Sequence, residues 1–199
     1  MVARHLLTGI ALAVAALVVA RLVRLSVADL GLARDRWWSG LKWGGSAAAL
    51  VLVAYAVAFV VVDDVAAPRY DTWLEAVVAA LVLIPLGTVI PEELVFRGVL
   101  WSWLRRVRGT SVATVVSSML FGLWHVVPAL GGGPANDALA GAVGSGVMGT
   151  ILGVLGTVIF TAVAGVVLCY VRQRSDSLLA PILLHWAANG AGVLFVLLA

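Results

Sequence analysis

The chain has one cysteine, Cys169, in 199 residues. A single thiol can form neither an internal disulfide nor a cysteine-based metal site. Charge is scarce as well. Asp, Glu, Lys and Arg make up 12% of the residues, against about 25% in soluble domains. Between Ala76 and Ile90 there is no charge at all. Long polar stretches are also missing, and the longest, Arg21 to Lys42 and Asp63 to Glu75, are too short to fold alone. No His-Glu-x-x-His sequence occurs. The run Gly131-Gly132-Gly133-Pro134 lacks the context of a phosphate-binding loop.

What is present is apolar: 63% of the residues are hydrophobic and the mean hydropathy is +1.10. This composition defines an all-α, polytopic transmembrane helix bundle with no soluble domain. The isoelectric point near 9.6 accompanies a net charge of only +3. The basic residues lie at helix ends, where membrane topology accounts for them. The expected partner is the lipid bilayer, not nucleic acid.

A spanning helix takes roughly 20 mostly apolar residues. Six candidate spans follow: Leu6–Ala20, Ser46–Val62, Trp73–Trp103, Ser111–Val127, Gly149–Val171 and Leu178–Ala199. The first resembles a signal peptide. Its apolar run is long, however, and Arg21 and Arg24 stand where a cleavage site would be, so a retained span is expected. The third is too long for one perpendicular crossing and contains Pro85, Gly87 and Pro91, which predicts a kink or tilt. The glycine-rich segment Asn136–Met148 reads as a re-entrant or interfacial piece, or as a seventh span.

Positive charge arbitrates. Arg21, Arg24, Arg34, Arg36 and Lys42 follow span one; Arg105, Arg106 and Arg108 follow span three; Arg172 and Arg174 follow span five. Alternate loops share a side, and the other side receives only Arg4 and Arg69. The positive-inside rule then places the N-terminus outside and the basic loops in the cytoplasm, and favours six spans over seven. The expected organisation is two N-terminal helices with polar loops in 1–75 and a helical core in 76–199, within one multi-pass domain of a prokaryotic plasma membrane. Trp37, Trp38, Trp43, Trp73, Trp101 and Trp103 read as interfacial anchors. Gly149, Gly153, Gly156 and Gly165 read as sites of close helix packing.

Against this background Glu92, Glu93 and Arg97 stand out. Ionisable groups at membrane depth are costly and mark functional sites. At 1.5 Å per residue, Glu92 lies roughly 21 Å of helix from Arg106, His125 roughly 22 Å from Thr110, His185 roughly 14 Å from Asp176 and Asn189 roughly 20 Å. Three helices thus bring polar residues to similar depth in a hydrocarbon layer about 30 Å thick. Glu93 and Arg97 are i,i+4 and can pair, which makes a buried charge tolerable. Glu92 points elsewhere and remains the free carboxylate. His185 and Asn189 share a face, as do Phe121 and His125. Each histidine taken alone could equally be interhelical glue. Trp124 and Trp186 each adjoin a histidine, as pocket lining or as helix packing.

The ordered set Glu92-Glu93-x-x-x-Arg97, Phe121-x-x-x-His125 and His185-x-x-x-Asn189 resembles the CPBP family, which contains the CAAX prenyl endopeptidases and the Abi-type intramembrane proteases. The stretch from Phe160 through Ser177-Leu178-Leu179-Ala180-Pro181-Ile182-Leu183-Leu184-His185 is similar to that family's later motifs. The resemblance implies endoproteolysis within the membrane on a peptide or membrane-protein substrate. It implies Glu92 as the base that activates water, helped by His125, with His185 and Asn189 stabilising the oxyanion. Glu93, Arg97 and Phe121 would support them. Ala, Val, Gly and Arg enrichment points to a GC-rich prokaryotic genome, where prenylated CAAX substrates are not expected. A mechanism without a metal cofactor is expected. The alternative is zinc on Glu92, His125 and His185 with an open position for water. Two rival functions are a proton-coupled transporter, disfavoured by the lack of an evident inverted repeat, and a catalytically silent, partner-binding scaffold of the bacteriocin-immunity kind.

Overall fold

The computed structural model describes residues 2–61, 70, 72–131 and 146–196. The helices are α1 (Val2–Leu22), α2 (Trp37–Val61), α3 (Trp73–Arg108), α4 (Thr110–Leu130), α5 (Val147–Ser175) and α6, which begins at Leu179 and continues through Val196. No strand occurs among the described residues. Helices α2 to α5 are long and apolar enough to cross a membrane, while Leu6–Leu22 and Leu179–Phe195 are shorter apolar helices. The possible re-entrant piece at 136–148 falls largely outside the described residues. Large apolar side chains point outward, with Val60 81% exposed, whereas Glu93, Arg97 and Ser117 are fully buried. A chain with its charges inside and its valines outside has lipid as its solvent.

Helix α2 starts at Trp37, nine residues before the expected Ser46. Gly40 and Gly44 sit inside it against Ser177 and Ala180, and a Cβ on Gly44 would lie 2.6 Å from the Ala180 Cα. Close contact with α6 thus outweighs the low helix propensity of glycine. Similar approaches join the other helices. Gly9 of α1 meets Leu86 and Gly87 of α3, Gly122 of α4 meets Val158 of α5, and Gly165 of α5 meets Ser118 of α4. The expected packing role of Gly165 is therefore realised.

Helix α3 runs without a break through Pro85, Gly87 and Pro91, with π-helical stretches at Ala79–Leu83, Pro85–Val89 and Leu94–Leu100. In the first, Ile84 N–H pairs five residues back with the Ala79 carbonyl. The next donor in that register would be Pro85, which has no N–H. The carbonyl it leaves, that of Ala80, accepts instead from Trp186 Nε1 at 2.8 Å. Trp186 is thus helix packing rather than pocket lining. Phe96, in the third wide stretch, likewise accepts from Ser117 Oγ at 2.9 Å. In α6 the wide turn is Ala187–Ala191, and Tyr55 of α2 donates its hydroxyl to the Ala188 carbonyl. Side chains from neighbouring helices thus supply what the irregular backbone lacks, as a lipid environment requires.

The three basic segments meet at one end of the bundle. Arg106 donates to the carbonyls of Val23 and Arg24, Arg172 Nη2 donates to the Asp29 carbonyl at 2.8 Å, and Arg105 pairs with Asp176 at 3.7 Å. Gly31, with φ +75, turns the chain so that its carbonyl takes Leu178 N–H at 2.8 Å. Arg172 is not a loop residue but sits buried in the last turn of α5. Trp101 is also buried rather than interfacial. Its indole donates to Thr114 Oγ1 at 3.2 Å, and the Arg105 and Arg172 guanidinium groups lie over its ring.

Candidate active site

Glu92 and Glu93 occupy a single α-turn, Ile90–Glu93, between two wide stretches of α3. Such interruptions of helical register occur often at functional sites. Both carboxylates are buried. The expected pair is present: Arg97 Nη1 donates to Glu93 Oε1 at 2.8 Å, with both side chains fully enclosed. Arg97 also donates to the Gly165 carbonyl at 3.4 Å, and its guanidinium lies 4.0 Å from the Phe121 ring centroid.

Glu93 has a second partner that spacing along one helix could not reveal. His185 Nδ1–H, from α6, donates to the same Oε1 at 2.8 Å. A shared carboxylate oxygen with two charge-assisted bonds offsets part of the desolvation that burial imposes. It also orients the imidazole and leaves Nε2 facing the site. That nitrogen lies 3.0 Å from Asn189 Nδ2 and 3.9 Å from Glu92 Oε2. His185 thus stands between two glutamates, one on each side of the ring.

Helix α4 supplies the other wall. It breaks at His125, whose φ of −85° and ψ of 0° fall in the sparsely populated bridge region. His125 Nδ1 lies 2.8 Å from the Phe121 carbonyl. A carbonyl can only accept, so Nδ1 carries the proton and Nε2 has a free lone pair. Phe121 packs edge-on against both His125 and His185, with centroids 4.7 and 5.7 Å away. Trp124 resolves in favour of the site: its Nε1–H donates to Glu92 Oε1 at 3.1 Å. The other Glu92 oxygen is buried and has no hydrogen-bond partner among the described residues. His125 and His185 both lie within electrostatic reach of that carboxylate. Asn189 and Trp124 form the exposed edge.

By type, Glu92, His125 and His185 suit zinc. No three His, Cys, Asp or Glu side chains converge as a ligand set among the described residues, and His185 Nε2 is turned toward Asn189. The residues that sequence reasoning missed are Ser117 and Tyr55. Their signal is a side-chain donor facing a distant carbonyl, which no motif encodes.

Fold and site together define a multi-pass helical membrane protein with a buried acid–imidazole centre. Residues 72–191, more than half of the chain, match the family described as type II CAAX prenyl endopeptidase Rce1-like, and the chain belongs to that family. Its general class is that of an intramembrane endopeptidase. No curated protein and no solved structure matches the chain. All seven residues singled out above from the sequence lie within the matched segment. Helices α1 and α2 lie before it.

Proposed function

We propose that the chain hydrolyses peptide bonds within the membrane by a glutamate-activated water. The observation that carries this reading is the asymmetry of Glu92. One oxygen is held by the Trp124 N–H, and the other is buried without a donor. That second oxygen can accept a proton from water, and His125 assists it in this reading. General-base help of this kind is worth about 10²–10⁴ in rate.

Attack on the scissile carbonyl produces an oxyanion. Asn189 Nδ2, which donates one hydrogen to His185 Nε2 in the resting site, has a second for it. His185, oriented by Glu93, donates from Nε2 when that nitrogen carries a proton and its contact with Asn189 is released. When the intermediate collapses the carbon–nitrogen bond breaks. Glu92 then returns the proton taken from water to the departing amine. Every step runs on these side chains.

The substrate in this reading is a peptide or membrane-protein segment entering from the bilayer. The gathered basic end faces the cytoplasm of a prokaryotic cell and the N-terminus faces outward, by the positive-inside rule. The deciding experiment is peptide cleavage by the purified, detergent-solubilised chain, read by mass spectrometry, with Glu92→Gln as control. Cleavage lost in the variant supports the reading. A phenotype that survives Glu92→Gln would instead make the chain a partner-binding scaffold. Uptake driven by an ion gradient in proteoliposomes would make it a transporter.

A further inference from the structure

Tyr55 lies on α2, outside the family segment, yet its hydroxyl reaches across 133 positions to the carbonyl of Ala188. That carbonyl adjoins Asn189 in the wide turn Ala187–Ala191. A helix that passes from i−5 to i−4 pairing skips one carbonyl, and α6 makes this passage when α-helix resumes at Gly192. The hydroxyl has a built seat there. Its ring stacks on Phe195 with centroids 5.5 Å apart and 29° between planes. A Cβ on Gly192 would lie 2.9 Å from the hydroxyl oxygen, so only glycine leaves it this room.

The wide turn also sets the position of Asn189. A turn closed five residues back holds more residues than the 3.6 of an α-helix. Part of the path from His185 to Asn189 runs inside that turn, which brings the amide nearly above the imidazole, at 3.0 Å from Nε2. We propose that Tyr55 is a positioning residue: its hydroxyl holds the Ala187–Ala191 turn in its wide register and so keeps Asn189 aligned with His185. It acts only through Asn189. The kinetic consequence rests on the proteolytic reading; the structural one does not.

The test uses the full chain in detergent with Tyr55→Phe, which keeps the ring and removes the hydroxyl. Hydrogen exchange followed by mass spectrometry should show amides in 187–196 exchanging about tenfold faster or more, with α1, α4 and α5 unchanged. Gly192→Ala, which crowds the hydroxyl from its seat without altering Tyr55, should give the same local pattern. On a cleaved peptide, Tyr55→Phe should lower kcat about tenfold while KM stays within about a factor of two, and in an Asn189→Ala background it should cause no further loss. Unchanged exchange in 187–196 would overturn the proposal. So would an equal loss of kcat in both backgrounds, which is what a merely structural contact gives. If the unaltered chain cleaves no peptide, that failure belongs to the proteolytic reading, and the exchange result alone decides the role of Tyr55.

Discussion

Glu93 and His185, 92 positions apart, meet through Oε1 and Nδ1 at 2.8 Å, and the same oxygen holds Arg97 at 2.8 Å. One carboxylate therefore joins a charge on its own helix to an imidazole on another. Removing it with Glu93→Ala leaves Arg97 buried without a counter-charge. Breaking a buried pair in this way destabilises by about 3–5 kcal/mol. The thermal midpoint should fall sharply, and the double variant Glu93→Ala with Arg97→Met should fall less, because it removes the orphaned charge together with its partner. Thermal unfolding in detergent checks both.

Glu92→Gln removes the proton acceptor at nearly constant shape. Cleavage should drop by about 10²–10⁴ or more, while the thermal midpoint hardly moves, because the Glu92 Oε2 side has no hydrogen bond to lose. Single-turnover assays beside the unfolding curve separate chemistry from stability.

Trp124→Phe keeps an aromatic ring against Phe96, whose centroid lies 6.0 Å away, and deletes the N–H bonded to Glu92. A hydrogen bond to a charged group contributes about 1.5–3 kcal/mol. The expected loss in kcat/KM is about tenfold to a hundredfold. An unchanged kcat/KM would remove Trp124 from the site.

Asn189→Ala should lower kcat by about 10²–10³, the usual effect of deleting one oxyanion donor. Chelators should leave cleavage intact. Loss on chelation that zinc restores would reassign His125 and His185 as ligands.

Asp29 supplies a pH dependence away from the site. Its carboxylate accepts from Ser26 Oγ and N–H, which holds it below its ordinary value of 3.8, with Arg106 and Arg105 adding to the effect. A depressed folded value means stability present above the unfolded value and lost as pH falls through the folded one. Asp29→Asn should therefore lower the thermal midpoint at pH 7. The difference from the unaltered chain should shrink once the pH drops below 3.8. The Asp29 carbonyl anchors Ser102 and Arg172, so the midpoint reports on the whole basic end.

The all-helical class, membrane residence and the gathering of Glu92, His125, His185 and Asn189 were legible in the sequence. Each rests on one-dimensional quantities: hydropathy over about 20 residues, charge at helix ends, and depth along a helix of fixed rise. The Glu93–Arg97 pair was legible too, because i,i+4 neighbours meet on any helix. The start of α2, the burial of Trp101, the seat of Arg172 and the wide turns of α3 were not. They depend on which helix each face meets, and on donors such as Trp186 that repair a proline gap from another segment. The second partner of Glu93 and the reach of Tyr55 belong to the same class. Local spacing determined which residues could face one another along a helix. Only tertiary packing decided which side chain completed each orphaned carboxylate or carbonyl, because in lipid an unpaired polar group must find its partner inside the bundle.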